Sequence, residues 1–194
     1  MDRKQEIVEM TIELIQTMGY GNLSFKDLSD RLGIAKASIH HHFAKKEDLG
    51  LAVCNQMVEI MTGVTAKFDE CGNSSFGKLE MFFSMLATQW DNCQKTCPIG
   101  SLQNDFYKLS EDMKICLQKV EDIQLDFFTK ILTEGRELKE ISFQGPAADQ
   151  ALIIAFSLKG AIQSARLRGS DIIIRSFAQL KLSLQPLPSA SKIN

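Results

Sequence analysis

Apolar residues in this chain recur three and four positions apart, and no stretch alternates convincingly as a strand would. Ile7, Thr11, Leu14, Ile15 and Met18, widened by Val8 and Ile12, predict a helix over residues 2–18, ended by Gly19 and Gly21 around Tyr20. Leu28 and Leu32 fall four apart, as do Ile39 and Phe43, and predict two short helices on either side of Gly33. Leu49, Val53, Met57, Ile60, Met61, Val64 and Phe68 then form one stripe on a helix from Lys46 to Phe68, with no breaker before residues 69–73. Further helices are expected over residues 76–92, 101–107, 110–134, 147–167 and 171–184. Asn73-Ser74-Ser75, Pro98 with Gly100, Gly135 with the weakly patterned 137–144, and Gly169-Ser170 separate them. Gly145-Pro146 opens the 147–167 helix, where proline suits the first turn. Pro186, Pro188 and the small polar end make 186–194 a flexible tail. The fold class is all-α, with neither an internal repeat nor a low-complexity tract.

Residues 23–49 organise the rest. Ser24 precedes Phe25-Lys26-Asp27, an S-x-x-D start in which the hydroxyl accepts a backbone N–H and the aspartate suits the helix N-terminus. Gly33 takes the left-handed conformation that ends this helix. With Ile39 and Phe43 turned inward, the second helix shows Lys36, Ala37, Ser38, His40 and His41 on its other face. Two short helices, a glycine turn and a polar outer face describe a helix-turn-helix with its recognition helix. Consecutive helical residues point about 100° apart, so His40, His41 and His42 do not converge on one ion. The reading assigns no metal and no cofactor. Lys36, Ala37, Ser38, His40 and His41 are expected at the major groove, and Ser24, His42 and Lys46 at phosphates.

The same stretch resembles the TetR-type transcriptional regulators. The resemblance is carried by Gly19-Tyr20, Leu28, Leu32-Gly33-Ile34, Lys36-Ala37-Ser38-Ile39, His42-Phe43 and Lys46-Glu47-Asp48-Leu49. The family pattern has an aromatic, usually tyrosine, where this chain has His40; imidazole also reaches a phosphate or a base edge. The resemblance implies a three-helix DNA-binding domain over residues 1–46, a helical ligand-binding and dimerisation domain over 47–185, and the tail from 186.

Charge refines the picture. The chain is slightly acidic at −2, yet Ser24 to Lys46 holds five cations, Lys26, Arg31, Lys36, Lys45 and Lys46, against Asp27 and Asp30. A small basic module on an acidic body suits a protein that touches DNA with one face. Hydrophobic content of 44% is ordinary for a soluble protein, no continuous apolar run approaches a membrane span, and the N-terminus lacks a signal-peptide core. Five cysteines, Cys54, Cys71, Cys93, Cys97 and Cys116, without metal-type spacing imply free thiols in a reducing, cytoplasmic setting.

Beyond the helix-turn-helix, Ala151 to Ile162 is apolar nearly all round. Ala151, Ala155, Gly160 and Ala161 would let another helix approach, so this helix and the last one are expected at a two-fold interface, as the family resemblance also implies. Aromatic and methionine residues, among them Met61, Phe82, Trp90, Phe127 and Phe156, are candidates to line an apolar cavity, most of the set being core. Cys93 and Cys97 would share a face on one continuous helix. Thr96-Cys97-Pro98-Ile99-Gly100-Ser101-Leu102, then Leu109-Ser110-Glu111-Asp112-Met113, resembles the TetR subgroup that includes an N-ethylmaleimide-responsive repressor. That resemblance implies an electrophile-sensing cysteine at Cys97 and a basic residue near Arg166; a packing cysteine is the other reading. No acid pair, nucleophile–base set or phosphate loop points to an enzyme. A helical adaptor is the remaining alternative to a homodimeric repressor that leaves a palindromic DNA operator when a small-molecule inducer or a thiol modification reaches it.

Overall fold

The computed structural model describes residues 2–90 and 95–186, apart from the side chain of Trp90. Every regular element among them is helical. Helix α1 is Arg3–Met18, capped by the Asp2 side chain and ended by Gly19 at φ 82°. Helix α2 is Phe25–Leu32 and carries the expected capping box. Asp27 Oδ2 accepts the Ser24 backbone N–H at 2.8 Å and its hydroxyl at 2.6 Å, and Ser24 Oγ accepts the Asp27 N–H at 3.4 Å. Gly33, at φ 65°, turns the chain into α3, Lys36–His42. Then come α4 (Lys46–Glu70), α5 (Ser75–Trp90), α6 (Pro98–Asn104), a 3-10 turn (Phe106–Lys108), α7 (Glu111–Glu137), α8 (Ala147–Arg168) and α9 (Asp171–Leu184).

Three boundaries differ from expectation. Pro98 starts a helix where a break is expected, because a proline at the first position sacrifices an N–H that has no helical partner. The helix expected over 101–107 therefore lies three residues earlier, and a 3-10 turn follows it. Gly135 lies inside α7 and does not end it. A Cβ there would lie 2.8 Å from Ser75 Cβ and 2.6 Å from Ile141 Cδ1, so glycine serves a close approach.

The described residues pack as two compact units, divided inside α4 at 63/64 and inside α7 at 123/124. The first contains α1, α2, α3, most of α4, α6, the 3-10 turn and the start of α7. Its core joins Ile7, Ile15, Leu28 and Ile39 to Leu49, Val53, Leu102, Met113 and Val120. The helix-turn-helix thus shares one core with residues far downstream. The second unit contains the rest of α4 and α7, with α5, α8 and α9. Phe68, Phe82, Phe127 and Phe128 pack there with ring centroids 5.1–5.9 Å apart.

Helix α4 is, among the described residues, the one helix long and apolar enough to cross a bilayer by length and composition, with a window of mean hydropathy 1.2. Its pattern is amphipathic: Leu49, Val53 and Cys54 are buried while Asn55 and Glu59 are exposed.

Two of the helical glycines, Gly135 and Gly63, give opposite expectations. Gly135→Ala should destabilise the protein by roughly 1–3 kcal/mol through overpacking. Gly63→Ala, with nothing within 4 Å of the added Cβ, should stabilise it by about 0.5–1 kcal/mol through helix propensity. Urea melts of the two variants check both signs.

Candidate nucleic-acid interface

The site starts from Ile39. Helix α3 has only seven residues, too few to be stable alone in water. Ile39 is 0% exposed and the C-cap residue Phe43 is buried beside it, which fixes how α3 is rotated. Lys36, Ala37, Ser38, His40 and His41 are consequently exposed together, as the spacing predicts. His40 also meets Phe25 of α2 edge-on at 4.6 Å, so its imidazole is steered by the first helix of the pair. The His41 and His42 rings touch edge-to-face at 5.3 Å, and His42 is half-buried. Lys36 and Lys45 are exposed and make no ion pair among the described residues.

Ser24 and Lys46, both expected at phosphates, are already engaged. The Ser24 hydroxyl serves the capping box. The Lys46 ammonium donates to the Gly21 carbonyl at 3.3 Å and lies 4.6 Å from the centre of the Tyr20 ring. The Tyr20 hydroxyl donates to the Lys46 carbonyl at 3.3 Å. Burial lowers the Lys46 pKa from its usual value, opposed by the charge of Asp105; burial, with the charge of Glu47, pushes Tyr20 up to about 12. From the sequence, Gly19-Tyr20-Gly21 is a helix end and Gly19-Tyr20 part of the family pattern, with no partnership to Lys46 visible. Two glycines around an aromatic, just before a basic unit, were the available signal for this partnership.

A family model, "Bacterial regulatory proteins, tetR family", matches residues 7–53, which span most of α1, all of α2 and α3 and the first turns of α4. Residues 7–53 are a TetR-family N-terminal domain. The likeness in fold extends over nearly the whole chain. A TetR-family regulator from Agrobacterium tumefaciens superposes with a TM-score of 0.89 at 22% identity, covering 94% of this chain and 97% of that one. A TetR regulator from Legionella pneumophila gives 0.85 at 25% identity, covering 95% and 98%. The HTH-type transcriptional repressor NemR of Escherichia coli is 22% identical over 188 residues, 94% of this chain and 90% of the relative. The reduced form of that protein superposes at 0.82. The chain carries a TetR-family DNA-binding domain and is a DNA-binding transcriptional regulator, and these relatives are named as regulators, not as enzymes.

The expected sensor residues are dispersed. Cys97 caps the N-terminus of α6 in the first unit, half-buried against its core. It lies outside α5, so the shared helix face with Cys93 does not extend to it; Cys93 itself lies outside the described residues. Arg166 is exposed on α8 in the second unit. Phe82 and Phe127 come together, but as filled core, 1% and 4% exposed. Met61 packs at the edge of the first unit's core, and Phe156 is 58% exposed on α8. The Trp90 side chain is not among the described residues. Cys54 and Cys116 are buried and in contact in the first unit. Burial pushes the Cys54 thiol up to about 12 and raises Cys116 as well, which disfavours the reactive thiolate in both.

A second surface lies on α8 and α9. Their outer sides leave an open groove of about 680 Å³ lined by Ser157, Gly160, Ser164, Arg175, Ser176 and Gln179. Ile153, Phe156 and Leu167 are exposed along α8, Ile174 and Leu182 along α9. The small residues Ala151 and Ala155 face the chain's own core, while buried Ala161 and Gly160, exposed with room for a Cβ, line the groove.

Proposed function

We propose that this regulator is a homodimeric, cytoplasmic repressor that reads the two halves of a palindromic operator with α3 and releases it in response to an effector. The observation that carries the reading is the exposed row Lys36, Ala37, Ser38, His40 and His41 on a helix whose rotation is fixed by buried Ile39 and Phe43. Residues 1–46 act as the DNA-binding domain and 47–185 as the effector and dimerisation domain. The first five side chains meet base edges, and Ser24, His42 and Lys46 meet phosphates, which position without specifying sequence. Ser24 does so by turning its hydroxyl from Asp27 to the phosphate, since the capping box holds both its N–H and its hydroxyl in the free protein.

The several large apolar residues left exposed on α8 and α9 support a second copy as their partner, since such residues gathered on one pair of helices mark interaction surfaces. A two-fold pair would present its recognition helices about 34–36 Å apart, one turn of DNA. Because α4 runs unbroken from the reading head into the second unit, a change there alters that spacing, provided the effector binds the two spacings with different affinity. Two kinds of effector fit: a small apolar ligand, or an electrophile or oxidant acting on Cys97. The E. coli relative is a repressor by name and its structure is of a reduced form, and Cys97 is more accessible than buried Cys54 and Cys116, which support the second.

Binding is measured on a duplex that the wild-type chain selects from a random pool. Lys46→Ala should weaken binding to every duplex and lower the salt slope by about one unit, while His40→Ala should reorder preference among duplexes. A Lys46→Ala variant with unchanged affinity and slope would place the docking face elsewhere. Phe156→Glu, which adds a charge to an exposed side without disturbing the core, should sediment as folded monomer and lose operator binding. An unchanged dimer would move the interface off α8. N-ethylmaleimide should release DNA from the wild type and leave Cys97→Ser bound; release of both would remove Cys97 from the mechanism and leave the repressor standing.

A further inference from the structure

We propose that Asp105 is a positioning residue for DNA binding: its carboxylate fixes the Gly19–Gly21 turn and, through the Gly21 carbonyl, the ammonium of Lys46. The proposal rests on the reading of Lys46 as a phosphate contact.

The geometry is a short chain of hydrogen bonds from a rigid anchor. Asp105 Oδ2 accepts the Gly21 backbone N–H at 2.9 Å, across 84 residues of sequence. The carbonyl of the same glycine accepts from Lys46 Nζ at 3.3 Å. The second carboxylate oxygen pairs with Lys108 Nζ at 2.9 Å. Asp105 is itself held by its backbone: its N–H donates to Leu102 O at 3.0 Å, and its carbonyl accepts from the Lys108 N–H at 2.7 Å. Helix α6, just before it, is tied to the end of α1. The buried Ser101 hydroxyl donates to Ile15 O at 2.7 Å, the Thr96 N–H donates to Gln16 O at 3.1 Å, and Gln16 Nε2 donates to Thr96 O at 3.0 Å.

The turn needs such an anchor. Gly19 has a positive φ, and glycines on both sides of Tyr20 leave the turn more conformational freedom than any other residues would. The fit is close: a Cβ on Gly19 would lie 3.1 Å from Asp105 Oδ2, and one on Gly21 would lie 2.7 Å from Asp105 Oδ1 and against the Lys108 side chain. Charge supports the arrangement. Lys46 and Lys108 repel each other, and Asp105 acts on Lys46 in the opposite sense, alongside Glu47 and Asp27. Hydrogen bonds from Gly21 and Lys108 overcome the effect of burial and hold the Asp105 carboxyl below its usual range, so it stays ionised near neutral pH.

The test uses the full chain and the duplex selected by the wild type, read by fluorescence anisotropy, with circular-dichroism melts on every variant. Asp105→Ala should weaken binding about tenfold, the scale of one lost charged hydrogen bond. Asp105→Asn, whose amide oxygen can still accept the Gly21 N–H, should bind within about threefold of wild type, as a partner kept in kind predicts. Gly21→Ala, at a residue whose φ is not positive, crowds the Lys108 side chain and the carboxylate while leaving both residues in place; it should match Asp105→Ala and add less than about twofold to it. In a Lys46→Ala background the Asp105→Ala loss should shrink to less than about twofold, which a general stability role would not produce. Wild-type affinity in Asp105→Ala, an Asn variant as weak as Ala, or an undiminished loss in the Lys46→Ala background would each overturn the proposal alone. A wild type that selects no duplex would overturn the DNA-binding reading and this proposal with it. Should Asp105→Ala melt below the assay temperature, the Asn and Gly21→Ala variants decide the question.

Discussion

Seven residues of helix do not hold their own shape in water, because nucleating the first turn costs more than so few hydrogen bonds return. Helix α3 is that short, and everything it offers to a duplex depends on the burial of Ile39 and Phe43 against neighbours. The neighbours must in turn be fixed. Helix α2 has eight residues and is started by the reciprocal Ser24–Asp27 bonds and stopped by Gly33. Those bonds hold the Asp27 carboxyl below its usual range. Their support is therefore present above the ordinary carboxylate pKa and is lost as pH falls through the depressed one.

The next layer of support comes from remote sequence. Leu102, Met113 and Val120 complete the core behind α1 and the helix-turn-helix. Ser101 and Thr96 bond to the last turn of α1, and Glu13 of α1 takes Lys95 at 3.1 Å and Arg31 of α2 at 3.5 Å. Surface ion pairs of this kind contribute little each. The buried Ser101–Ile15 bond and the shared apolar core matter more, since breaking either leaves a buried polar group or a void. The head is thus packed as part of a larger unit, and a disturbance at α6 has a short covalent and hydrogen-bonded route to it.

Local chemistry made much of this legible in the sequence. The i, i+4 pairs Leu28–Leu32 and Ile39–Phe43, the S-x-x-D start and the glycine stop each act over a few residues, so they can be read without tertiary context. The features that escaped are those decided by what approaches from afar. Pro98 looks like a break unless it is known to stand first in a helix; Gly135 looks like a stop unless Ser75 and Ile141 are seen against it. The aromatic set reads equally as cavity lining or as core, and the 5.5 Å spacing of Phe82 and Phe127 shows the rings filling the space between them. Ala151 illustrates the same limit: smallness permits close approach, but only the fold says that it is buried within its own chain.

Lys46 brings these threads together. A lysine that must leave bulk water for a phosphate loses hydration as well as side-chain freedom, and both losses count against binding. Here part of each has already been met in folding. The ammonium is partly desolvated, as the lowering of its pKa by burial records, and its stem is pinned between the Tyr20 ring and the Gly21 carbonyl. The remaining N–H donors stay available, because an ammonium has three and the structure gives one of them to Gly21. The same cation can therefore keep its internal bond and accept a phosphate oxygen as a second partner, with less reorganisation than a solvated surface lysine requires. Exposed Lys36 and Lys45 lack that preparation. In the proposed docking, the reading head combines one electrostatic contact pre-set by the fold with softer ones that follow the shape of the duplex.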